Sequence, residues 1–357
     1  MRLASFKGVL ALAALGLAAC GSSDDSSTGG NGTLAATPTQ AAAASTGPGA
    51  SDAQNCDVPY GDAPAALPPP TSVAGDLADI LNLLNECGQV GGETLTWTDA
   101  ANESRKACLI TPSNASTSSK LPLVVFLQGS LFPAPIQLIL NDWVSQSGTA
   151  DLTGDSKRPG FILLLPIGRN THHFYPFPDN YALGFDNWNR NLDVAAIDQF
   201  VSQVESRNIV DTNRVYATGW SNGAAMAQLY ALNTPSIAAS AVYSSPDPYS
   251  DVQDPCEQTP FATTLTPLMD IHNACDIIGI CQTGTQFHQD LARLFPKLKQ
   301  NVIIVDSDKN QVQACNASCA EQTITNPGTA NHLLWPQKWN EAMFTWLREH
   351  PLSAKNN

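Results

Sequence analysis

The segment Gly219-Trp220-Ser221-Asn222-Gly223 sets a serine between two glycines, and its flanks decide what that serine can do. Arg214-Val215-Tyr216-Ala217-Thr218 before it is a β-prone run, and Ala224-Ala225-Met226-Ala227-Gln228-Leu229-Tyr230 after it is a helix former, so Ser221 is expected on a tight strand–turn–helix corner. Such a corner presents a hydroxyl at the end of a sheet, while glycines on either side let neighbouring backbone approach without a Cβ clash. The chemistry this suits is nucleophilic attack on an acyl carbon. A serine hydroxyl needs a base to take its proton, and the base needs a carboxylate to hold its tautomer. On this kind of corner they follow in the order serine, acid, histidine.

Three histidines lie far enough along the chain: His288, His332 and His350. His288 falls in the helix-like stretch Thr285 to Leu294 and reads as a surface side chain. His350 sits at the C-terminal end of the last expected helix, where a cation suits the dipole. His332 follows Asn326-Pro327-Gly328-Thr329-Ala330-Asn331, after the last strand and before the last helix, and is the expected base. For the acid, Pro267 to His272 reads as a strand and Asn273-Ala274-Cys275-Asp276 as the turn leaving it, which selects Asp276, with Asp270 and Asp306 as alternatives. His272 precedes the acid and reads as a structural histidine. Two backbone N–H groups must face the developing oxyanion. Asn222, next after the nucleophile, supplies one, and the loop Gln128-Gly129-Ser130 the other, Ser130 being placed ahead of Gly129.

These groups must be held by a sheet. Strand-length apolar runs alternate with helical patterns, which predicts an α/β fold with a mostly parallel sheet and helices on both faces. Expected strands are Ala107 to Thr111, Leu123 to Leu127, Phe161 to Pro166, Arg214 to Thr218, Ala238 to Tyr243, Pro267 to His272 and Asn301 to Asp306. Ile197, Phe200, Val201 and Val204 recur at helical spacing, so a helix is expected over Leu192 to Ser206. Leu77, Ile80, Leu81 and Leu84 make a similar stripe, and a last helix is expected over Trp339 to Glu349. The aromatic stretch from Asn170 to Asn191 reads as a long surface loop of the kind that carries function.

Arg2 and Lys7 precede a short apolar run that reaches Cys20, which reads as an export signal over residues 1–19. From Gly21 to about Asn55 the chain is too poor in large apolar side chains to bury a core, and it reads as a tether. The remainder, 56–357, is of the size of one large α/β domain. With 32 acidic against 18 basic residues, a polyanionic partner such as nucleic acid is excluded. Of the nine cysteines, setting Cys20 aside leaves Cys56, Cys87, Cys108, Cys256, Cys275, Cys281, Cys315 and Cys319, an even set in an oxidising compartment. Disulfides are expected and no metal site, because no CxxC pair or His-rich spacing accompanies them. The local pairs Cys275 with Cys281 and Cys315 with Cys319 come first, and the former would brace Asp276.

With these residues in place, the chain resembles the polyhydroxybutyrate depolymerase and feruloyl esterase group of α/β-hydrolases, related to the first family of carbohydrate esterases. The resemblance runs from about Arg105 to Arg348. It rests on Leu121 to Gly129, Asn213 to Gly223, Ile271-His272-Asn273-Ala274-Cys275-Asp276, and His332-Leu333-Leu334-Trp335-Pro336. Gln128 departs from it, standing where these proteins carry histidine. The resemblance implies a cofactor-free serine esterase acting on hydroxyalkanoate polyesters or oligomers, or on hydroxycinnamoyl esters or acetylated xylan of plant polysaccharide, with Trp220 and Trp335 as candidate walls of an acyl pocket. Leu17-Ala18-Ala19-Cys20 resembles a bacterial lipobox, which implies acylation of Cys20 as the only link to a membrane. Secretion without lipid is the milder reading. No polymer-binding module is expected after the last helix. A serine peptidase and a non-catalytic surface lipoprotein are the readings from other classes.

Overall fold

Leu121-Pro122-Leu123-Val124-Val125-Phe126-Leu127 carries no charge and no polar side chain, and it forms a strand buried along its whole length. That pattern belongs to a parallel sheet covered on both faces, and it governs the architecture. The computed structural model describes residues 86–100, 102–129, 134–168, 192–248, 264–277, 279–305, 319 and 328–355, all within one unit spanning Gly47–Asn357. The strands are β1 (Glu93–Thr98), β2 (Ser104–Ile110), β3 (Leu121–Leu127), β4 (Ile162–Pro166), β5 (Val210–Trp220), β6 (Ala239–Tyr243), β7 (Leu268–Asn273) and β8 (Gln300–Val305). They form one eight-stranded sheet in the order β1-β2-β4-β3-β5-β6-β7-β8. The pairs β1/β2 and β2/β4 are antiparallel and every later pair is parallel.

Side chains alternate across each strand, and the two halves of the core follow that alternation. Leu123, Val125 and Leu127 pack with Ile197, Phe200 and Val204 of α3 (Leu192–Glu205), with α4 (Asn222–Asn233), and with Phe287 and Leu291 of α5 (Ile280–Leu294). Val124 and Phe126 face the other way. They meet Leu138 of α1 (Ala134–Leu140), Trp143 of α2 (Trp143–Gln146), and Phe344 and Leu347 of α7 (Asn340–Glu349). Two short helices, α6 (Gly328–Leu333) and α8 (Leu352–Lys355), flank α7. Asn340 ties this second layer together: its Oδ1 accepts from the indoles of Trp143 at 3.1 Å and Trp335 at 2.7 Å, and its Nδ2 donates to the carbonyl of Asn141. A mostly parallel sheet with helices on both faces is the architecture expected from the alternation of patterns, and it is the α/β-hydrolase fold that the resemblance implies.

The expected strands are all present, with ends shifted by a few residues. β1 was not expected. Its sequence Glu-Thr-Leu-Thr-Trp-Thr buries only Leu95, because it is an edge strand with no second covered face to demand apolar residues. The local cysteine pairs are corrected. Cys281 is bonded to Cys319, and Cys87 to Cys108. Cys275 is disulfide-bonded to a cysteine outside the described residues, so neither Cys275–Cys281 nor Cys315–Cys319 forms. The reason lies in the fold: Cys281 starts α5 on its buried side, and a chain segment distant in sequence is brought against it. The expected signal and tether, Cys20, the Leu77 to Leu84 stripe, Ser130, the aromatic stretch Asn170 to Asn191, and Asp306 lie outside the described residues.

Candidate active site

β5 ends at Trp220, α4 begins at Asn222, and Ser221 makes the corner between them at φ 57° and ψ −126°. A non-glycine residue at such angles costs on the order of 1–3 kcal/mol and persists only where its surroundings hold it. The two glycines of the motif do that by letting backbone pack on backbone. A Cβ on Gly219 would lie 2.2 Å from the carbonyl oxygen of Gly223. One on Gly223 would lie 2.2 Å from the carbonyl oxygens of both Leu127 and Gln128, at the end of β3. The turn is further pinned by the N–H of Ser221 donating to Tyr243 O across to β6.

The expected acid and base meet this serine. His332 Nε2 is 2.9 Å from Ser221 Oγ, and His332 Nδ1 is 2.8 Å from Asp276 Oδ1. Asp276 and His332 are 3% and 6% exposed, so water competes little for these contacts. With Nδ1–H donated to the carboxylate, Nε2 carries the lone pair that accepts from the serine hydroxyl. His332 lies on the short helix α6 rather than on an open loop. Its own carbonyl accepts from Trp220 Nε1 at 2.8 Å, and the carbonyl of Asn331 accepts from the Tyr243 hydroxyl, so the base is fixed from below by two aromatic side chains. Burial, with the nearby Asp276 charge adding to it, pushes the Tyr243 hydroxyl well above its ordinary value, which keeps it a donor.

One residue of this cluster carries no sequence signal. Ser244, at φ 58° just beyond β6, donates its hydroxyl to Asp276 Oδ2 and stands 3.0 Å from His332 Nδ1. Ile277 N–H donates to Asp276 Oδ1 at 2.7 Å. At least three donors therefore hold the carboxylate in place. Nothing about a serine after a strand marks it in the sequence as an acid's partner.

For an oxyanion, Asn222 stands at the first position of α4, where a helix N–H has no acceptor within its own helix. Gly129 is corrected as the second donor. Its N–H donates to Gln137 Oε1 at 2.8 Å, and its carbonyl accepts from Gln137 Nε2 at 2.8 Å, so a side-chain amide two-handedly occupies this glycine. Trp220 and Trp335 are also corrected. They are 3% and 5% exposed, packed edge-on or tilted among Phe126, Trp143 and Tyr243, and their indole N–H groups are taken by His332 O and Asn340 Oδ1. They support the base from beneath instead of facing a substrate.

One of the remaining histidines is reassigned as well. His288 is 4% exposed, not a surface group. His272, which is fully buried, joins it around Asp270. Burial alone would raise the Asp270 carboxyl, but the two imidazoles beside it bring it down to about 2. Burial alone would lower His272, and the Asp270 charge more than reverses this.

No protein-family model matches this chain, and no curated protein matches it. Solved structures are similar to it. A thermostable esterase is 17% identical, over 73% of this chain and 63% of that one, with a TM-score of 0.47. A poly(3-hydroxybutyrate) depolymerase from Bordetella parapertussis is 13% identical, over 64% of this chain and 87% of that one, with a TM-score of 0.45. A ferulic acid esterase is 14% identical, over 60% and 89%, with a TM-score of 0.44. The chain spans less than two thirds of the length of the thermostable esterase.

Proposed function

We propose that this chain is a serine hydrolase that cleaves carboxylic esters through an acyl-enzyme. The observation that carries the reading is the unbroken run of contacts from Asp276 through His332 to Ser221, which stands on the strained corner at φ 57°. Ser221 Oγ attacks the ester carbonyl as His332 Nε2 takes its proton, and Asp276 stabilises the imidazolium through Nδ1–H. The N–H of Asn222 and a second donor, for which Ser130 is the candidate, receive the charge on the tetrahedral oxygen. His332 then returns the proton to the leaving alcohol. Water, deprotonated by the same histidine, releases the acid from Ser221.

The substrate class follows from the sequence resemblance: hydroxyalkanoate polyesters or their oligomers, with feruloyl or acetylxylan esters as the second reading. Export across the inner membrane, with an acylated Cys20 anchoring the domain through residues 21–55, follows from the N-terminal pattern alone. A fluorophosphonate should label Ser221 in the wild type and nothing in Ser221→Ala. Hydroxybutyrate oligomers, methyl ferulate, nitrophenyl esters and a peptide amide, compared by kcat/KM, assign the class. Labelling at another residue, or faster turnover of the peptide than of every ester, overturns the proposal.

A further inference from the structure

Asp270 and His272 alternate on β7 and so point to the same face, where His288 of α5 and Gln228 of α4 close over them. The proposed mechanism uses none of the four. One ligand atom each from Asp270, His272 and His288 lies within 4.8 Å of the others, and the residues are 0%, 0% and 4% exposed. Two imidazoles and a carboxylate are the donor set of zinc.

The polar atoms here satisfy one another only in part: Asp270 Oδ2 accepts from Gln228 Nε2 and lies within hydrogen-bond distance of His288 Nε2. Both ring nitrogens of His272, Asp270 Oδ1 and Gln228 Oε1 are buried without a hydrogen-bond partner. A polar atom left unpaired in the interior is costly, and native proteins rarely tolerate several together. His272 Nε2 is 3.1 Å from Asp270 Oδ2, close enough for an ion pair, yet the two are not aligned as donor and acceptor. Two ligands bound to one ion have this relation: near each other, both aimed at a third point. With zinc bonds of about 2.0–2.1 Å, tetrahedral ligands stand roughly 3.3–3.4 Å apart. His272 Nε2 and His288 Nε2 are each 3.1 Å from Asp270 Oδ2.

The surroundings are also arranged as a metal site requires. Gln300 Nε2 donates to the carbonyl of His288 at 3.3 Å, which turns Gln300 Oε1 toward His288 Nδ1 at 2.6 Å. His288 therefore carries its proton on Nδ1 and offers the lone pair of Nε2 to the cluster, the outer hydrogen bond that orients metal-binding histidines. Gln228 Nε2 donates to Asp270 Oδ2 at 2.6 Å, and a half-turn of that amide would offer Oε1 as a fourth ligand. Gly284 leaves the room for the ring: a Cβ there would lie 2.3 Å from His272 Cε1 and 2.7 Å from His272 Nε2.

We infer that Asp270, His272 and His288, with Gln228 completing the shell, form a structural Zn²⁺ site that fastens α5 to β7, the strand that leads into the turn bearing Asp276. The experiment uses untagged protein stripped with a chelator and titrated with Co²⁺, then Zn²⁺. One equivalent of Co²⁺ should give visible absorption of four-coordinate intensity, which Zn²⁺ displaces, and zinc should raise the melting temperature of the stripped protein. His288→Gln should lose the band. Gln300→Leu, which touches only the outer hydrogen bond, should bind zinc 10–100-fold more weakly. His350→Asn should bind as the wild type does. Absence of the Co²⁺ band in the wild type overturns the inference, as does unchanged zinc affinity in Gln300→Leu or His288→Gln. The readouts are spectral and thermal, so they hold whether or not the chain hydrolyses esters.

Discussion

Ser244 is the residue through which the catalytic reading can be tested most closely. Its hydroxyl donates to the Asp276 carboxylate beside His332 Nδ1–H and Ile277 N–H, and it is fully buried. Ser244→Ala removes that donor and nothing else of size, and alanine is no more strained than serine at φ 58°. A hydrogen bond to a charged group contributes about 1.5–3 kcal/mol. If that loss is felt as the imidazolium forms, kcat falls roughly 10- to 150-fold at about 1.4 kcal/mol per decade. A ceiling of about 10⁴-fold is set by complete loss of the acid's hold on the histidine tautomer. KM should change little, because Ser244 reaches the acid and the base but not the position of the acyl group. Initial rates on a nitrophenyl ester, normalised to the fraction of enzyme that a fluorophosphonate titrates, measure both constants. A kcat within twofold of wild type, or a loss carried entirely by KM, would refute the view that Ser244 positions Asp276.

Other outcomes follow from the same geometry. Gly223→Ala should push two backbone carbonyls at the end of β3 out of place, costing about 3 kcal/mol or more and slowing fluorophosphonate labelling of Ser221 at least 100-fold. Melting and labelling rate together check it, and near-normal values for both would contradict the close approach. The double substitution of Cys281 and Cys319 by serine opens a bridge of sequence separation 38, worth about 4 kcal/mol in the chain-entropy account. Denaturant unfolding measures that loss, and non-reducing peptide mapping should recover Cys281 joined to Cys319 and Cys87 joined to Cys108.

What could be read along the chain was whatever neighbouring residues determine. The apolar runs of β3, β4 and β6 are strands because no face of them meets water, and alternation with helical spacing makes the sheet parallel. Ser221 was legible because a strained corner demands glycines at fixed offsets, and Asp276 and His332 because each closes a β-to-α connection at the same end of the sheet. Strand order and packing decided the rest. Ser244 reaches Asp276 and His332, residues 32 and 88 positions away, only because β6 lies beside β7 and α6 closes over both. Gln137 takes Gly129, Trp220 and Trp335 turn inward beneath the base, and Cys281 passes over Cys275 for Cys319, all through contacts between elements far apart in sequence. His272 and His288 show the difference most plainly. In the sequence His272 reads as a structural histidine at a strand end and His288 as a surface side chain, and only the seating of α5 on β7 gathers them with Asp270 into one buried cluster. A residue's tendency toward strand, turn or helix is fixed by its near neighbours, but which polar atom faces which is fixed by the order in which the strands assemble.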